Sequence, residues 1–191
     1  MFKLYYYPNN ASLAPHFLLH YLNVDYELLL VDKQSNAQKS ADYLKLNPAG
    51  RIPTLVIGEQ PIFESSAICI HLCELHPQLN LMPAVGDPKR PLFYQWLAFL
   101  NNTLQAELMV RYYPHRHTND TATISNIIAA QDERIAEALA IINNQLKYNQ
   151  YLIGDTLTAC DYLKRLCDDS TIKAVCEIEG IDLASFGGVN L

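Results

Sequence analysis

The sequence predicts a protein of two parts, a small mixed α/β domain followed by an all-helical domain. Short apolar segments typical of strands occur only within residues 1–77. After residue 92 the apolar residues have only the spacing typical of helices. Between them, residues 78–91 contain three prolines and no periodic apolar pattern, which is typical of a linker. We therefore predict domains over 1–77 and 92–191, joined by this linker.

Composition and charge restrict the class of protein. The chain has 191 residues, of which 50% are hydrophobic and 18% charged, so it can form a core and is not intrinsically disordered. Its net charge of −6 disfavours non-specific nucleic-acid binding. No apolar run reaches the roughly 20 residues of a membrane span, and the N-terminus does not resemble a signal peptide. The five cysteines do not have the spacing of a disulfide framework. We therefore expect a cytoplasmic protein that does not contact a membrane.

The first domain begins with a predicted βαβ unit. Phe2–Tyr6 and Tyr26–Val31 are short apolar segments, as strands are. Ser12, a residue typical of N-caps, is predicted to start the helix between them, and Asn23 ends it. Two strands joined through a helix in this way lie parallel to each other.

The rest of the first domain adds two strands and two helices. Ala41–Leu46 is predicted as a short helix, and Pro53–Ile57 and Pro61–Glu64 as strands of a hairpin. Ser65 or Ser66 is then predicted to cap a third helix. The order β-α-β-α-β-β-α predicts a mixed four-stranded sheet with helices on its faces.

The second domain carries only helical patterns. Leu92 to about Tyr112 and Thr121 to about Leu146 have apolar residues three and four positions apart, which predicts two long helices. Thr158 and Asp161 have the spacing of a capping box, and Thr171–Ile178 is predicted as a last short helix.

Four motifs follow one another as they do in the cytosolic glutathione transferases. They are YYYPNNASLAPH at 5–16, NPAGRIP at 47–53, ESSAI at 64–68 and YLIGD with TACD at 151–161. The chain therefore resembles this family, and its first motif resembles the bacterial beta-type enzymes. The resemblance implies a thioredoxin-like N-terminal domain, an all-α C-terminal domain, and glutathione as the co-substrate.

The resemblance also implies where glutathione binds. The peptide bond between Ile52 and Pro53 is cis in this fold, so that the Ile52 backbone can pair with the cysteinyl residue as an added strand would. Glu64 and Ser65 lie at a predicted helix N-terminus, which favours the γ-glutamyl carboxylate. Lys33, Lys39 and Arg51 flank this region and are candidates for the glycyl carboxylate, although solvated surface charges are an equal alternative.

The chemistry requires a thiolate, and the free thiol has a pKa of about 8.5. Lowering that pKa by two units needs about 2.7 kcal/mol, most of which one hydroxyl donor and a helix N-terminus supply. Ser12 is the first candidate for this donor. Tyr6, which matches the activating tyrosine of the Tyr-type enzymes, is the second, and the amides of Asn9 and Asn10 are the third. A core position is the alternative for Tyr6.

Three features depart from the beta-type pattern. Ala11 replaces a cysteine, which disfavours disulfide exchange by the protein. Gln105 falls where a catalytic histidine is expected, and it can hydrogen-bond to glutathione but cannot accept a proton. The sequence after Leu163 resembles a later helix of the family, so we expect the C-terminal domain to be shortened there.

We expect a glutathione transferase that conjugates glutathione to small, mostly apolar electrophiles, which is a detoxification activity. We also expect the enzyme to act as a homodimer. The expected electrophile pocket consists of Asn9, Asn10, Leu108, Arg111 and Tyr112. We expect no metal, because His16 and His20 lack a third ligand and fit a surface or half-buried helix face. Two alternatives stay open: a glutathione-binding or interaction protein without the chemistry, and a glutathione-dependent disulfide reductase or peroxidase.

Overall fold

The computed structural model describes residues 1–163 and 170–181, which group into two compact units. The first unit contains Met1–Met82 and the described residues from Asp161 onward, and the second contains Pro83–Cys160. The change of unit after Met82 lies within the predicted linker. The sequence predicted a single helical domain over 92–191. The structure divides this region, because the C-terminal helix packs in the first unit.

The first unit is built on a four-stranded mixed sheet in the order β2-β1-β3-β4. The strands are β1 (Phe2–Tyr6), β2 (Tyr26–Leu30), β3 (Thr54–Ile57) and β4 (Gln60–Phe63). β1 is parallel to β2 and antiparallel to β3, and β3 is antiparallel to β4. This topology confirms the thioredoxin-like sheet predicted from the sequence.

Within the described residues, four α-helices belong to the first unit. They are α1 (Leu13–Tyr21), α2 (Ala41–Leu46), α3 (Ser65–Leu75) and α7 (Ser170–Glu179). α1 packs against both α3 and α7. The core contains side chains from the sheet and from α1 and α3 that are almost completely buried, namely Leu4, Leu18, Leu19, Leu55, Ile68 and Leu72.

The predicted N-cap position of α1 is confirmed, and the predicted serine cap of α3 is wrong. Ser12 occupies the N-cap position of α1, but its hydroxyl does not cap the helix and instead donates to the Tyr7 carbonyl oxygen at 3.1 Å. Ser65 is the first residue of α3, and Glu64 takes the N-cap position with no capping bond from its side chain. A serine cap does occur at α2, where Ser40 Oγ accepts from the Tyr43 N–H at 3.3 Å.

The second unit consists of helices. They are α4 (Arg90–Ala98), a π-helical turn (Phe99–Leu104), α5 (Gln105–Tyr112) and α6 (Ile124–Tyr148), and α5 packs on α6. The sequence predicted one helix over most of 92–112, and the π-turn was not predicted because Leu100 and Leu104 keep helical spacing across it. In the part of the chain that is described, no helix has both the length and the apolar character needed to cross a bilayer.

The C-terminal region is described in part. A 3₁₀ helix over Ala159–Leu163 follows Thr158, and α7 begins at Ser170. The shortening expected after Leu163 falls on residues 164–169, which lie outside the described residues, so it stays a prediction.

A buried hydrogen bond joins α7 to α1. His16 Nδ1 lies 2.6 Å from Glu179 Oε1, and both side chains are 0% exposed. The other ring nitrogen of His16 lies 3.1 Å from the hydroxyl of Tyr26 on β2. Burial, and then the negative charge of Glu179, raise the pKa of Tyr26. The surface or half-buried position expected for His16 is therefore wrong, because a partner on α7 satisfies its polar ring in the core.

We expect Glu179→Ala to lower the free energy of unfolding by about 3–5 kcal/mol, because it removes one partner of a fully buried pair. Urea unfolding of the full chain measures this change. Glu177→Ala, an exposed position on the same helix, is the control and should change stability by less than about 0.5 kcal/mol. Equal effects of the two substitutions would contradict the role given to the pair.

Candidate functional site

The register of the sheet brings three chain segments to one edge. β1 ends at Tyr6, Tyr5 pairs with Thr54 at the start of β3, and Thr54 pairs with Phe63 at the end of β4. Because antiparallel neighbours place opposite ends together, the residues after β1, before β3 and after β4 meet at this edge. All predicted site residues of the first unit lie at the end of β1, in these segments or in the chain after β2: Tyr6, Asn9, Asn10, Ser12, Lys33, Arg51, Ile52, Pro53, Glu64 and Ser65.

The turn before β3 is fixed by side-chain donors. The Arg51 carbonyl oxygen accepts from the Tyr43 hydroxyl at 2.7 Å and from the Asn47 side-chain amide at 2.8 Å. Asn47 also accepts the Ala49 N–H at 3.1 Å. The Ile52–Pro53 bond is cis, as the resemblance implies. Within the described residues the backbone N–H and C=O of Ile52 make no hydrogen bond, so neither group is used by the surrounding fold.

Gly50 allows the chain to pass closely under Lys39 in this turn. Its φ of +57° lies in the left-handed region, and a Cβ there would be 2.9 Å from the Gln38 carbonyl oxygen and 2.6 Å from Lys39 Nζ. Lys39 Nζ donates to the Ala49 carbonyl oxygen at 3.1 Å. A side chain at position 50 is therefore excluded both by the backbone conformation and by its neighbours.

Glu64 connects β4 to α3 through an unusual backbone conformation, with φ 71° and ψ 114°. A residue with a Cβ pays roughly 1–3 kcal/mol for such a conformation, which occurs most often at functional sites. The Glu64 carbonyl oxygen accepts the first helical bond, from the Ile68 N–H at 3.0 Å. The N–H groups of the first turn, including that of Ser65, have no partner within the helix and favour an anion.

The two hydroxyls expected to activate a thiol differ in their surroundings. Ser12 is 0% exposed, and its hydroxyl both donates to the Tyr7 carbonyl at 3.1 Å and accepts from the Tyr7 N–H at 3.4 Å. Tyr6 is half-buried, with its ring edge-on to the His16 ring at 6.4 Å between centroids. Its hydroxyl makes no hydrogen bond within the described residues. This geometry favours Tyr6, the reverse of the order expected from the sequence.

Polar and charged residues surround this edge. Asn9 is exposed, and Asn10 accepts the Ala11 N–H at 3.0 Å, so it shapes the loop between β1 and α1. Lys33 Nζ lies 5.6 Å from the centroid of the Tyr7 ring, and the Arg51 side chain is exposed. The edge thus has cationic groups available to an anion in a protein of net negative charge.

The remaining predicted residues lie together on α5 in the second unit. Gln105, Leu108 and Tyr112 share one face of this helix, because they are three and four positions apart. Arg111 Nε donates to Asp132 Oδ1 of α6 at 2.8 Å, and its guanidinium lies 5.9 Å from the Tyr112 ring centroid. The predicted residues therefore form two groups, one in each unit.

The described cysteines have structural positions. Cys69, Cys73, Cys160 and Cys176 are buried and form no disulfide within the described residues, as expected of small core residues. Burial, with a smaller effect of Glu74, raises the pKa of Cys73 to about 12, so this thiol is not a nucleophile at neutral pH. Over residues 1–163 and 170–181, no three His, Cys, Asp or Glu side chains lie close enough together to hold a metal ion.

Sequence reasoning missed the residues that hold the turn. Tyr43 lies within a short helix, where an aromatic residue is usually interpreted as core, and Thr54 opens a strand. Asn47 lies inside the NPAGRIP motif, and this motif was the only sequence signal that indicated the hydrogen bonds to the Arg51 carbonyl.

Comparison with known proteins gives consistent similarities. Residues 1–74 match the sequence profile described as "Glutathione S-transferase, N-terminal domain". The chain is 28% identical over 205 aligned residues to glutathione S-transferase GST-4.5 of Xanthomonas campestris, covering 94% of this chain and 100% of the relative. It is 32% identical over 164 aligned residues to glutathione S-transferase F14 of Arabidopsis thaliana, covering 80% of this chain and 61% of that relative.

Solved structures agree with the fold. A glutathione S-transferase from Xylella fastidiosa has a TM-score of 0.86 at 21% identity, covering 95% of this chain and 100% of that chain. A glutathione transferase homologue from Sulfitobacter with bound glutathione has a TM-score of 0.77 at 20% identity, covering 98% of this chain and 88% of that chain. At these identities the similarity supports the fold.

We expect Gly50→Ala to lower the free energy of unfolding by about 2–4 kcal/mol, since it adds a close contact to a left-handed backbone position. Gly58→Ala is the matched control, because Gly58 has φ +64° and a Cβ added to it would meet no atom within 4 Å. The control should cost only about 1–2 kcal/mol. Urea unfolding compares the two, and equal losses would mean that the neighbours of Gly50 move aside.

Proposed function

The chain belongs to the cytosolic glutathione S-transferase superfamily, and on this premise we propose that it conjugates the thiolate of glutathione to small, mostly apolar electrophiles. The observation that carries the proposal is the meeting of three segments at one sheet edge: the end of β1, the turn before β3 and the start of α3. Each segment offers a different kind of polar group, and glutathione carries a matching group for each.

Glutathione is assigned to this edge group by group. The unpaired N–H and C=O of Ile52 bind the backbone of the cysteinyl residue. The N-terminus of α3 and the Ser65 hydroxyl bind the γ-glutamyl carboxylate, and Glu64 accepts from the substrate ammonium group. Lys33 and Arg51 supply positive charge for the glycyl carboxylate. Glutathione is the only cofactor in this proposal, and it is consumed as a co-substrate.

The reaction requires a hydroxyl donor for the sulfur, and we assign this role to Tyr6. The glutathione thiol loses its proton to solvent, the sulfur attacks an electrophilic carbon, and a C–S bond replaces the bond to the leaving group. Burial of the Ser12 side chain and the use of its proton by Tyr7 support the choice of Tyr6. The chain holds the thiolate and positions it, which are the main contributions such a site makes.

The electrophile is assigned to the face of α5 that carries Leu108 and Tyr112. Tyr112 is 67% exposed, so a flat apolar molecule can lie against its ring. Arg111 and Gln105 give this face polar ends, and the Gln105 amide can hydrogen-bond but cannot take a proton. We further propose a cytoplasmic, detoxifying enzyme that works as a homodimer.

A second candidate is a glutathione-binding protein with little or no transferase activity. The hydrogen-bonded state of Ser12 and the presence of Ala11 in place of a cysteine favour it. A disulfide reductase or peroxidase is less well supported, because the four described cysteines are buried.

We expect the purified full chain to bind glutathione in a calorimetric titration and to conjugate chlorodinitrobenzene. Tyr6→Phe should lower the turnover number by about 10²-fold or more, by analogy with removal of a donor to a developing anion. Ser12→Ala should lower it by less than about tenfold. Tyr148→Phe, at a position 73% exposed, is the control for loss of a tyrosine hydroxyl.

Each alternative predicts a different result in these assays. No heat of binding would reject the glutathione site. Binding without conjugation would support the second candidate. A large loss of turnover in Ser12→Ala with none in Tyr6→Phe would restore Ser12 as the donor.

A further inference from the structure

Tyr43 lies outside the proposed contacts with glutathione but hydrogen-bonds to the backbone of the turn before β3. It is 5% exposed, and its ring packs edge-on against Tyr5 at 5.7 Å between centroids. Its hydroxyl donates to the Arg51 carbonyl oxygen at 2.7 Å. The Thr54 hydroxyl lies 2.9 Å from the same phenol oxygen and donates to it, since the Tyr43 proton is already used.

The bond to Arg51 acts directly on Ile52. The Arg51 carbonyl and the Ile52 N–H belong to one peptide unit, which is planar and, at this position, trans. In a trans unit the C=O and the N–H point in opposite directions. Holding the Arg51 oxygen in the interior therefore directs the Ile52 N–H to the opposite side, away from Tyr43.

Both acceptor sites of the Arg51 oxygen are occupied. Asn47, which is 2% exposed, supplies the second donor at 2.8 Å. Thr54 is 0% exposed, so the hydrogen bonds around Tyr43 are shielded from water. Burial raises the pKa of Tyr43, which keeps the hydroxyl protonated and able to donate at neutral pH. A peptide unit held by two buried donors has little freedom to rotate.

We propose that Tyr43 is a positioning residue for glutathione, which fixes the direction of the Ile52 N–H through the Arg51 carbonyl. The inference rests on the proposed function. Tyr43 does not touch the ligand in this proposal, so its removal should weaken the binding of glutathione and of its transition state equally. The affinity for glutathione then falls while the turnover number stays unchanged.

The experiment compares Tyr43→Phe with the unchanged chain by calorimetric titration of glutathione and by steady-state conjugation of chlorodinitrobenzene. The dissociation constant and the KM for glutathione should rise about three- to tenfold, the change that loss of one neutral hydrogen bond produces. The turnover number at saturating glutathione and the KM for chlorodinitrobenzene should stay within about twofold. Tyr148→Phe, which removes an exposed hydroxyl, should change none of these values.

A second pair of variants tests the same network if Tyr43→Phe does not fold. Thr54→Val removes the hydroxyl that fixes the phenol oxygen and keeps the side-chain shape, so the KM for glutathione should rise. Thr54→Ser keeps the hydroxyl and should retain the original KM. A general loss of packing would not separate these two substitutions in this way.

The outcomes distinguish the inference from the function on which it rests. If the unchanged chain gives no heat with glutathione, both proposals are overturned. If the unchanged chain binds glutathione and a folded Tyr43→Phe binds it equally well, only the positioning role is overturned. A lower turnover number with an unchanged dissociation constant would also overturn it.

Discussion

The two hydrogen bonds accepted by the Arg51 carbonyl are the constraint on which the candidate site depends. They tie the turn before β3 to α2 through Tyr43 and to the start of the turn through Asn47. A loop without such anchors would populate many conformations, because fixing each residue costs about 1–2 kcal/mol of backbone entropy. Packing of Ile52 with Tyr43 and Val31 gives the same turn an apolar anchor. The backbone conformation of the turn is thus fixed as closely as is usual in helices and strands, which is rare in loops.

The opposite side of the site is fixed by a different buried interaction. His16 joins α1 to Glu179 on α7 and to Tyr26 on β2, while its ring lies edge-on to Tyr6. The tyrosine proposed to hold the thiolate is therefore packed against a histidine that cannot move without breaking a buried pair. Both sides of the site use interior polar contacts, which are costly when incomplete and restrictive when satisfied. This explains how an edge made of loops can present fixed donors.

Local signals in the sequence predicted the sheet and the order of its elements, and the resemblance of the NPAGRIP motif to the family implied the cis turn. Apolar strand segments, helical spacing and the NPAGRIP motif are each contained within a few residues. The features that it did not predict depend on distant residues. Glu179 lies 163 positions from His16, so no helical spacing around His16 could indicate the pair. Ser12 has the sequence pattern of an N-cap, but its choice of the Tyr7 carbonyl depends on how the loop closes onto β1.

The choice between the two hydroxyls follows from what each would give up. A bond from Ser12 to a thiolate would gain about 1.5–3 kcal/mol, the usual value for a charged acceptor. To make it, Ser12 would release the partly buried Tyr7 carbonyl oxygen, and the loss of that hydrogen bond offsets part of the gain. The remainder is less than the roughly 2.7 kcal/mol needed to lower a thiol pKa by two units. The Tyr6 hydroxyl breaks no hydrogen bond within the described residues, so its interaction with the sulfur is not offset in this way. Ser12 closes the loop between β1 and α1 through its bonds to Tyr7, and this supports the proposal that Tyr6 rather than Ser12 is the donor to the sulfur.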